Sequence, residues 1–248
     1  AYVIAQCLVG SEMCIRDRLL GQAGVQIDLK DGKRILVDPY LTDTLHKTKG
    51  NRFARLIPPP KDIAALNPDI LAITHDHGDH LDMATLEYWL DGQRAYPVLG
   101  SYSVYRAITG RWPSKHNVMV MRPGVEITLG EARFCAVPAS HETLEAVGYL
   151  LKAEGKTVYL SGDTLYHRAI PEFLREESID LALLCINGFG NNMNAQDAAR
   201  LAQVLQPKLV IPIHWDMFAP FGADPQDFVS ALQNVQAKIL NAYEALEL

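Results

Sequence analysis

Seven consecutive residues, Thr74-His-Asp-His-Gly-Asp-His80, contain three of the chain's eight histidines and two aspartates. Imidazole and carboxylate are the ligand types of borderline divalent metals. His75 and His77 stand two apart, so on an extended segment both side chains project to the same side. Gly78 permits a sharp turn that would bring Asp79 and His80 round to the same region. One heptapeptide therefore offers four ligands, a composition that a merely solvated loop does not call for. Asp76 is expected to stand behind the ligands and fix a ring tautomer, as is Asp216 beside His214; a helix cap or an exposed charge is the alternative for each. The isolated His46, His116 and His167 are assigned to structure.

Further ligands are expected where other apolar runs end. The strand-like run 69–73 leads to His75, and 132–137 is followed by Ala-Ser-His141. Run 157–160 leads to Ser-Gly-Asp163, and 209–213 to His214. Sites in sheet proteins gather at strand ends, so these residues are expected to converge on one edge. The supporting elements can be read along the chain. Segments 25–29 and 34–38, joined at Asp31-Gly32, predict a hairpin. A basic, irregular loop covers 42–55, and Pro58-Pro59-Pro60 precedes a short helical segment at 62–66. Met83, Leu86, Trp89 and Leu90 fall on one helix face. Strands are expected at 118–121, 125–129, 147–152 and 179–185, and helices over 195–205 and 225–232. Strands dominate the middle and helices flank them, which is the pattern of a sheet-based α/β protein.

Composition narrows the partners. A chain of 248 residues, 48% hydrophobic, buries roughly three quarters of its unfolded surface and reads as one domain. A net charge of -6 without a long Lys/Arg block provides no field to gather nucleic acid. No apolar run reaches the ~20 residues of a membrane-spanning helix, so no membrane partner is expected. Cys7, Cys14, Cys135 and Cys185 show no C-x-x-C spacing, which favours free thiols in a reducing cytoplasm. Residues 1–18, AYVIAQCLVGSEMCIRDR, lack an initiating Met, a basic leader and a small-residue cleavage site. The CLVGSEMCIRDR string resembles translated sequencing-adapter read-through. Residues 1–18 are therefore expected to be a non-native extension, with a genuine short strand or helix as the alternative, and 19–248 a single domain.

The order H-x-H-x-D-H, lone His, lone Asp, last His resembles the metallo-β-lactamase-fold hydrolases over the whole chain from Leu19. The stretches THDHGDHLD, Ser161-Gly-Asp-Thr164 and Pro212-Ile-His-Trp-Asp-Met-Phe218 resemble its L-ascorbate-6-phosphate lactonase-like branch. The resemblance implies an α/β fold, the αβ/βα four-layer sandwich, with two divalent metal ions at one edge. His75, His77 and His141 would hold the first ion, Asp79, His80 and His214 the second, and Asp163 would bridge them. Mixed nitrogen and oxygen ligands suit Zn²⁺ or Mn²⁺, with Fe²⁺ also compatible. Two ions ~3.5–4 Å apart can share a hydroxide, because the pKa of bound water falls to ~7. Asp79 is the expected catalytic group, orienting the nucleophile and carrying its proton to the leaving group.

These features predict hydrolysis of a small ester, lactone (sugar-phosphate lactones included) or phosphoester. A phosphodiesterase of the same fold and a non-catalytic metal-binding scaffold are the alternatives. The scaffold would be marked by a lost ligand, and none is missing. For the substrate, a small and anionic molecule, the loop Asn187-Gly-Phe-Gly-Asn-Asn-Met-Asn194 supplies glycines and helix-start amides. Asn187, Asn191 and Asn192 are its candidate binding residues, while Asn194 is explained as an N-cap. Lys47, Lys49, Arg52 and Arg55 are read either as a phosphate clamp or as a solvated loop. A homo-oligomer is compatible with this sequence.

Overall fold

Strand residues that are apolar on both faces require a layer on each side of the sheet, and the chain supplies those layers twice. The computed structural model describes residues 16–143 and 145–248. One sheet runs in the order β13 (Ala245–Glu247), β1 (Arg16–Gly21), β2 (Gly24–Asp28), β3 (Arg34–Val37), β4 (Ile70–Ile73), β5 (Pro97–Gly100), β6 (Asn117–Val120). The other runs β12 (Leu209–Ile213), β11 (Leu181–Cys185), β10 (Lys156–Leu160), β9 (Val147–Ala153), β8 (Ala132–Pro138), β7 (Glu126–Leu129). β3 to β6 are mutually parallel, as are β10 to β12, and the remaining pairs are antiparallel.

β4 shows how the layers are divided. Ile70 and Ala72 point into the core between the sheets with Val25, Ile35, Phe134, Tyr149 and Val158, while Leu71 and Ile73 point outward. That is the two-residue alternation of a strand. Outside the first sheet, α2 (Met83–Leu90) and α3 (Tyr102–Arg111) cover Leu71, Ile73 and Val98 with Leu86, Trp89, Val104 and Ile108. Outside the second, α4 (Ala169–Phe173), α5 (Ala195–Leu205) and α6 (Pro225–Ala231) cover Tyr159, Ala182, Leu184 and Val210. Each fully buried Leu, Val or Phe contributes about 1.5–3 kcal/mol. The result is the expected αβ/βα four-layer sandwich.

The 25–38 hairpin and the 195–205 helix form as predicted. In the latter, the Asn194 side-chain oxygen accepts the Asp197 backbone N–H at 2.9 Å. The 42–55 segment differs from the irregular loop expected: it holds α1 (Thr44–Lys49) and a 3₁₀ turn at Asn51–Phe53. Six residues are too few to show helical periodicity, and tertiary bonds fix the segment instead. Thr42 donates through its backbone N–H and hydroxyl to Asp82 at 3.1 and 2.6 Å, and Leu45 is buried. Segment 62–66 is a 3₁₀ turn at Ala64–Leu66. β5 escapes the sequence pattern because a four-residue strand, apolar throughout its buried part, shows no alternation, and α3 escapes it because only Val104 and Ile108 are buried, too few apolar positions to mark a helical period.

Residues 1–15, with Cys7 and Cys14, lie outside the described residues, but Arg16, Asp17 and Arg18 belong to β1 and pair with Asp28, Ile27 and Gln26 of β2. Cys185 is a buried free thiol, and Cys135 is free and half-buried. Among the described residues no helix is long and apolar enough to cross a membrane.

Candidate functional site

Four strand ends meet at one edge. His75 leaves β4, and the chain then makes a single helical turn in which the His77 carbonyl accepts the N–H groups of His80 and Leu81 at 3.0 and 2.8 Å. That turn brings Asp79 and His80 back over His75. Gly78 serves it by size rather than by unusual backbone geometry: a Cβ there would lie 2.9 Å from Leu45 Cδ2 of α1. His141 follows β8, where Ser140 is pinned by the Thr164 hydroxyl at 2.8 Å. Asp163 follows β10 through Gly162 at φ +57°, where a Cβ would meet Thr74 Cγ2 at 2.9 Å and the Val147 carbonyl at 3.1 Å. His214 ends β12 at φ +62°, a left-handed conformation rare for histidine. Its N–H donates to the Gln22 carbonyl at 2.8 Å.

The ligand atoms fall into overlapping triads that could each hold a metal ion: His75, His77 and His141; His75, His80 and Asp163; Asp79, His80 and His214. All seven expected ligands are thus brought together. His77 Nδ1 and His141 Nε2 are 3.1 Å apart, close to the ~3.3 Å edge of a tetrahedron with ~2.0 Å metal–nitrogen bonds. Asp163 Oδ1 lies 3.3 Å from both His80 Nε2 and His214 Nε2, and Oδ2 lies 3.9 Å from His141 Nε2. One carboxylate therefore reaches both sides of the cluster. His75 Nε2, His80 Nε2 and Asp163 Oδ1 are buried without a hydrogen-bond partner. Such orphans cost free energy unless something coordinates them, and a divalent cation would satisfy all three.

Asp38, which ends β3 at φ +44°, sets the rings. It accepts the Thr74 N–H and hydroxyl at 2.7 and 2.6 Å and faces His80 Nδ1 at 2.8 Å. His80 therefore donates from Nδ1 and leaves Nε2 free. Because the Thr74 hydroxyl is committed to Asp38, its oxygen can accept from His75 Nδ1 at 3.0 Å, which frees His75 Nε2 as well. The Asn191 carbonyl faces His141 Nδ1 at 3.4 Å and has the same effect there. Burial, reinforced by His80, holds the His75 pKa well below its ordinary value, and burial lowers that of His141. Both stay neutral, as metal ligation requires. For Asp163, burial opposes ionisation but the charges of His214 and His80 outweigh it and hold the carboxyl well below the usual range. Asp79 is likewise lowered against burial by its hydrogen bond to His214. Burial would depress His214, yet Asp163 lifts it to about 9. The buried carboxylates thus draw positive charge into this edge.

Residues 33–215 match the beta-lactamase superfamily domain, and the chain is 32% identical over 241 residues to a UPF0173 metal-dependent hydrolase of Pelotomaculum thermopropionicum, covering 92% of this chain and 98% of that one. The chain belongs to the UPF0173 metal-dependent hydrolase family of the metallo-β-lactamase superfamily. A relative of the same description from Enterococcus faecalis is 30% identical, covering 91% and 96% of the two chains. Among solved structures, the metallo hydrolase Igni18 of Ignicoccus hospitalis shares the fold with a TM-score of 0.76 at 22% identity, covering 95% of this chain and 99% of that one. The metallo-β-lactamase fold protein YhfI of Bacillus subtilis shares it at 0.72 and 16%, covering 95% and 100%.

Several residues of this hydrolase stand elsewhere than the sequence suggests. Asp76 is exposed and touches no ring, because on the extended 75–77 segment the middle residue points away from its neighbours; Asp38 does the orienting instead. Asp216 accepts the Gln22 N–H at 3.3 Å, and His214 Nδ1 has no partner. Asn192 donates to Asp163 Oδ2 at 2.8 Å and to Asn187 Oδ1 at 3.0 Å. Asn187 and Asn192 line the cavity over the cluster, while the Asn191 side chain is exposed outside it. Of the basic residues, Lys49 and Arg52 line the cavity. Arg55 is tied to the Tyr40, Thr42 and Ile57 carbonyls, and Lys47 lines a separate groove.

Two site residues escape the sequence reading. Asp38 carries the same signal as the ligands, a carboxylate at the end of an apolar strand, and could have been found by it. Gln22, in the β1–β2 turn at φ +56°, carries none. Its amide nitrogen lies 2.7 Å from Asp79 Oδ2 and 3.0 Å from His214 Nε2.

Proposed function

We propose that this metal-dependent hydrolase binds two ions, one at His75, His77 and His141, the other at Asp79, His80 and His214, with Asp163 between them, and cleaves small esters or lactones. Phosphoesters are a further substrate class of the same machinery. The observation that carries this reading is Asp163, whose two oxygens face the two halves of the cluster. Ions bound there supply Lewis-acid polarisation of the scissile oxygen and an acidified water. Zn²⁺, Mn²⁺ and Fe²⁺ all suit this donor set.

The chain's own groups account for the proton. Asp79 is a fifth exposed toward the cavity, and the Gln22 amide and His214 fix its carboxylate. It takes the proton of the attacking water as the acyl carbon–oxygen bond breaks and returns it to the departing alkoxide, so ester and water give acid and alcohol. From the resemblance to the ascorbate-phosphate lactonase-like branch we retain the reaction class; the cavity lining decides the substrate.

Elemental analysis of protein purified without added metal tests the proposal. About two metals per chain are expected, falling in His214→Ala. Asp79→Asn should keep most of its metal while turnover drops by about 10²–10⁴-fold. A chain without metal, or with one ion indifferent to His214, would refute the two-ion site; full activity of Asp79→Asn would refute its proton role.

A further inference from the structure

The cavity over the cluster, about 390 Å³, has a wall the metal chemistry does not need. Phe53 comes from the 3₁₀ turn after α1, Phe189 from the loop after β11, and Phe218 and Phe221 from the segment after β12. Their rings form one continuous surface: Phe53–Phe218 centroids are 5.5 Å apart, Phe53–Phe221 5.3 Å and Phe189–Phe221 5.7 Å. Phe189 is 47% exposed. Gly188 and Gly190 on either side take φ +70° and +61°, and they hold the ring out at the cavity rather than in the core. Two cations rim the same wall. The Arg52 guanidinium lies 4.7 Å from the Phe221 centroid and 5.5 Å from Phe53, and the Lys49 ammonium lies 5.7 Å from Phe53. Neither makes a salt bridge with any carboxylate among the described residues. Among the described residues, Glu142 is the cavity's only acid besides Asp79 and Asp163, and those two face the metal ligands.

We propose that the substrate is a small aromatic anion, an ester or lactone whose ring packs on the phenylalanine wall and whose carboxylate pairs with Arg52 and Lys49 while the scissile carbonyl meets the metal edge. An aromatic ring gains about 0.5–1.5 kcal/mol beyond its buried area on such a wall, whereas a polyol would leave hydroxyls facing it without partners. The volume falls in the range of single small-molecule sites. Arg52, already stacked and without an acid partner, is pre-organised for a planar carboxylate. The bond cleaved rests on the hydrolase reading above; the binding preference does not.

The metal-loaded full chain is assayed with 4-acetoxybenzoate, phenyl acetate and acetoxyacetate: aromatic and anionic, aromatic only, anionic only. Binding of the product 4-hydroxybenzoate is measured by calorimetry in parallel. We expect kcat/KM for 4-acetoxybenzoate to exceed each of the others about tenfold or more, the worth of one ion pair or ring contact of about 1.4 kcal/mol. Arg52→Gln and, separately, Lys49→Gln should bring the ratio of 4-acetoxybenzoate to phenyl acetate toward one, and Phe189→Ala the ratio to acetoxyacetate. Both cations are exposed, so these variants fold. Hydrolysis without preference, or ratios indifferent to the variants, overturns the substrate class and leaves the hydrolase intact. Binding of 4-hydroxybenzoate that the variants weaken, with no ester cleaved, supports the pocket and overturns the hydrolase reading. Neither binding nor cleavage overturns both.

Discussion

Asp17 enters a place built for an apolar side chain. It pairs with Ile27 on one side and Leu246 on the other; Ile27 belongs to the core between the sheets and the half-buried Leu246 packs against it. Asp17 is 2% exposed, and neither carboxylate oxygen has a hydrogen-bond partner. Burial, with the charge of Asp28 adding to it, raises its pKa from 3.8 to about 7. Between those values the folded chain keeps a proton that the unfolded chain releases. Stability is therefore untouched below about pH 4, where both states are protonated, and declines as pH rises to about 7. At about 1.36 kcal/mol per pH unit the loss reaches about 4 kcal/mol above the folded value. Asp17→Val removes the titration and adds about 1–2 kcal/mol of apolar burial. The assay is urea unfolding of parent and variant followed by tryptophan fluorescence from about pH 4 to about pH 8; groups common to both chains cancel in the difference. The variant should gain about 1–2 kcal/mol at the acid end and about 5 kcal/mol at the alkaline end. A difference that stays constant with pH would show that Asp17 is hydrated or paired in solution and that this carboxyl does not sit in the core.

Asp38→Ala removes the group that sets the tautomers of His80 and, through Thr74, His75; metal affinity measured by chelator competition should fall about 10–100-fold, and unchanged affinity would show that the rings orient themselves. Gly162→Ala must hold φ +57° and push Thr74 aside, so the melting temperature should drop by an amount equivalent to about 1–3 kcal/mol, with the parent value counting against the clash. Removal of metal by a chelator should lower the melting temperature of the parent, by the equivalent of about 2.7 kcal/mol where metal had stood at a hundred times its Kd; a melting curve indifferent to chelation would mean that the orphaned atoms are satisfied in another way.

The seven candidate ligands were legible along the chain because His75, His77, Asp79 and His80 crowd one heptapeptide while His75, His141, Asp163 and His214 each follow an apolar run, and each run in turn marks a strand that must be buried. The two-residue alternation of strands and the period of the helices carry the same local information, so a sheet-based α/β protein could be anticipated from pattern, whereas the four-layer sandwich followed from the family resemblance. The 195–205 helix was likewise announced by its cap at Asn194. Other features are invisible locally. A glutamine in a hairpin turn looks like any turn residue until the fold brings it 2.7 Å from an aspartate 57 positions away and 3.0 Å from a histidine 192 positions away. Asp216 looks like a partner for its neighbour His214, yet it bonds the turn at Gln22 instead. Four phenylalanines from three separate segments carry no joint signal along the chain, and only their meeting at the cavity makes them a wall. The sequence by itself determined which chemistry is present, because ligand types and strand periodicity are properties of neighbouring residues. The tertiary structure alone decided what orients and surrounds that chemistry, because hydrogen bonds and ring contacts act over a few ångströms of space whatever their separation along the chain.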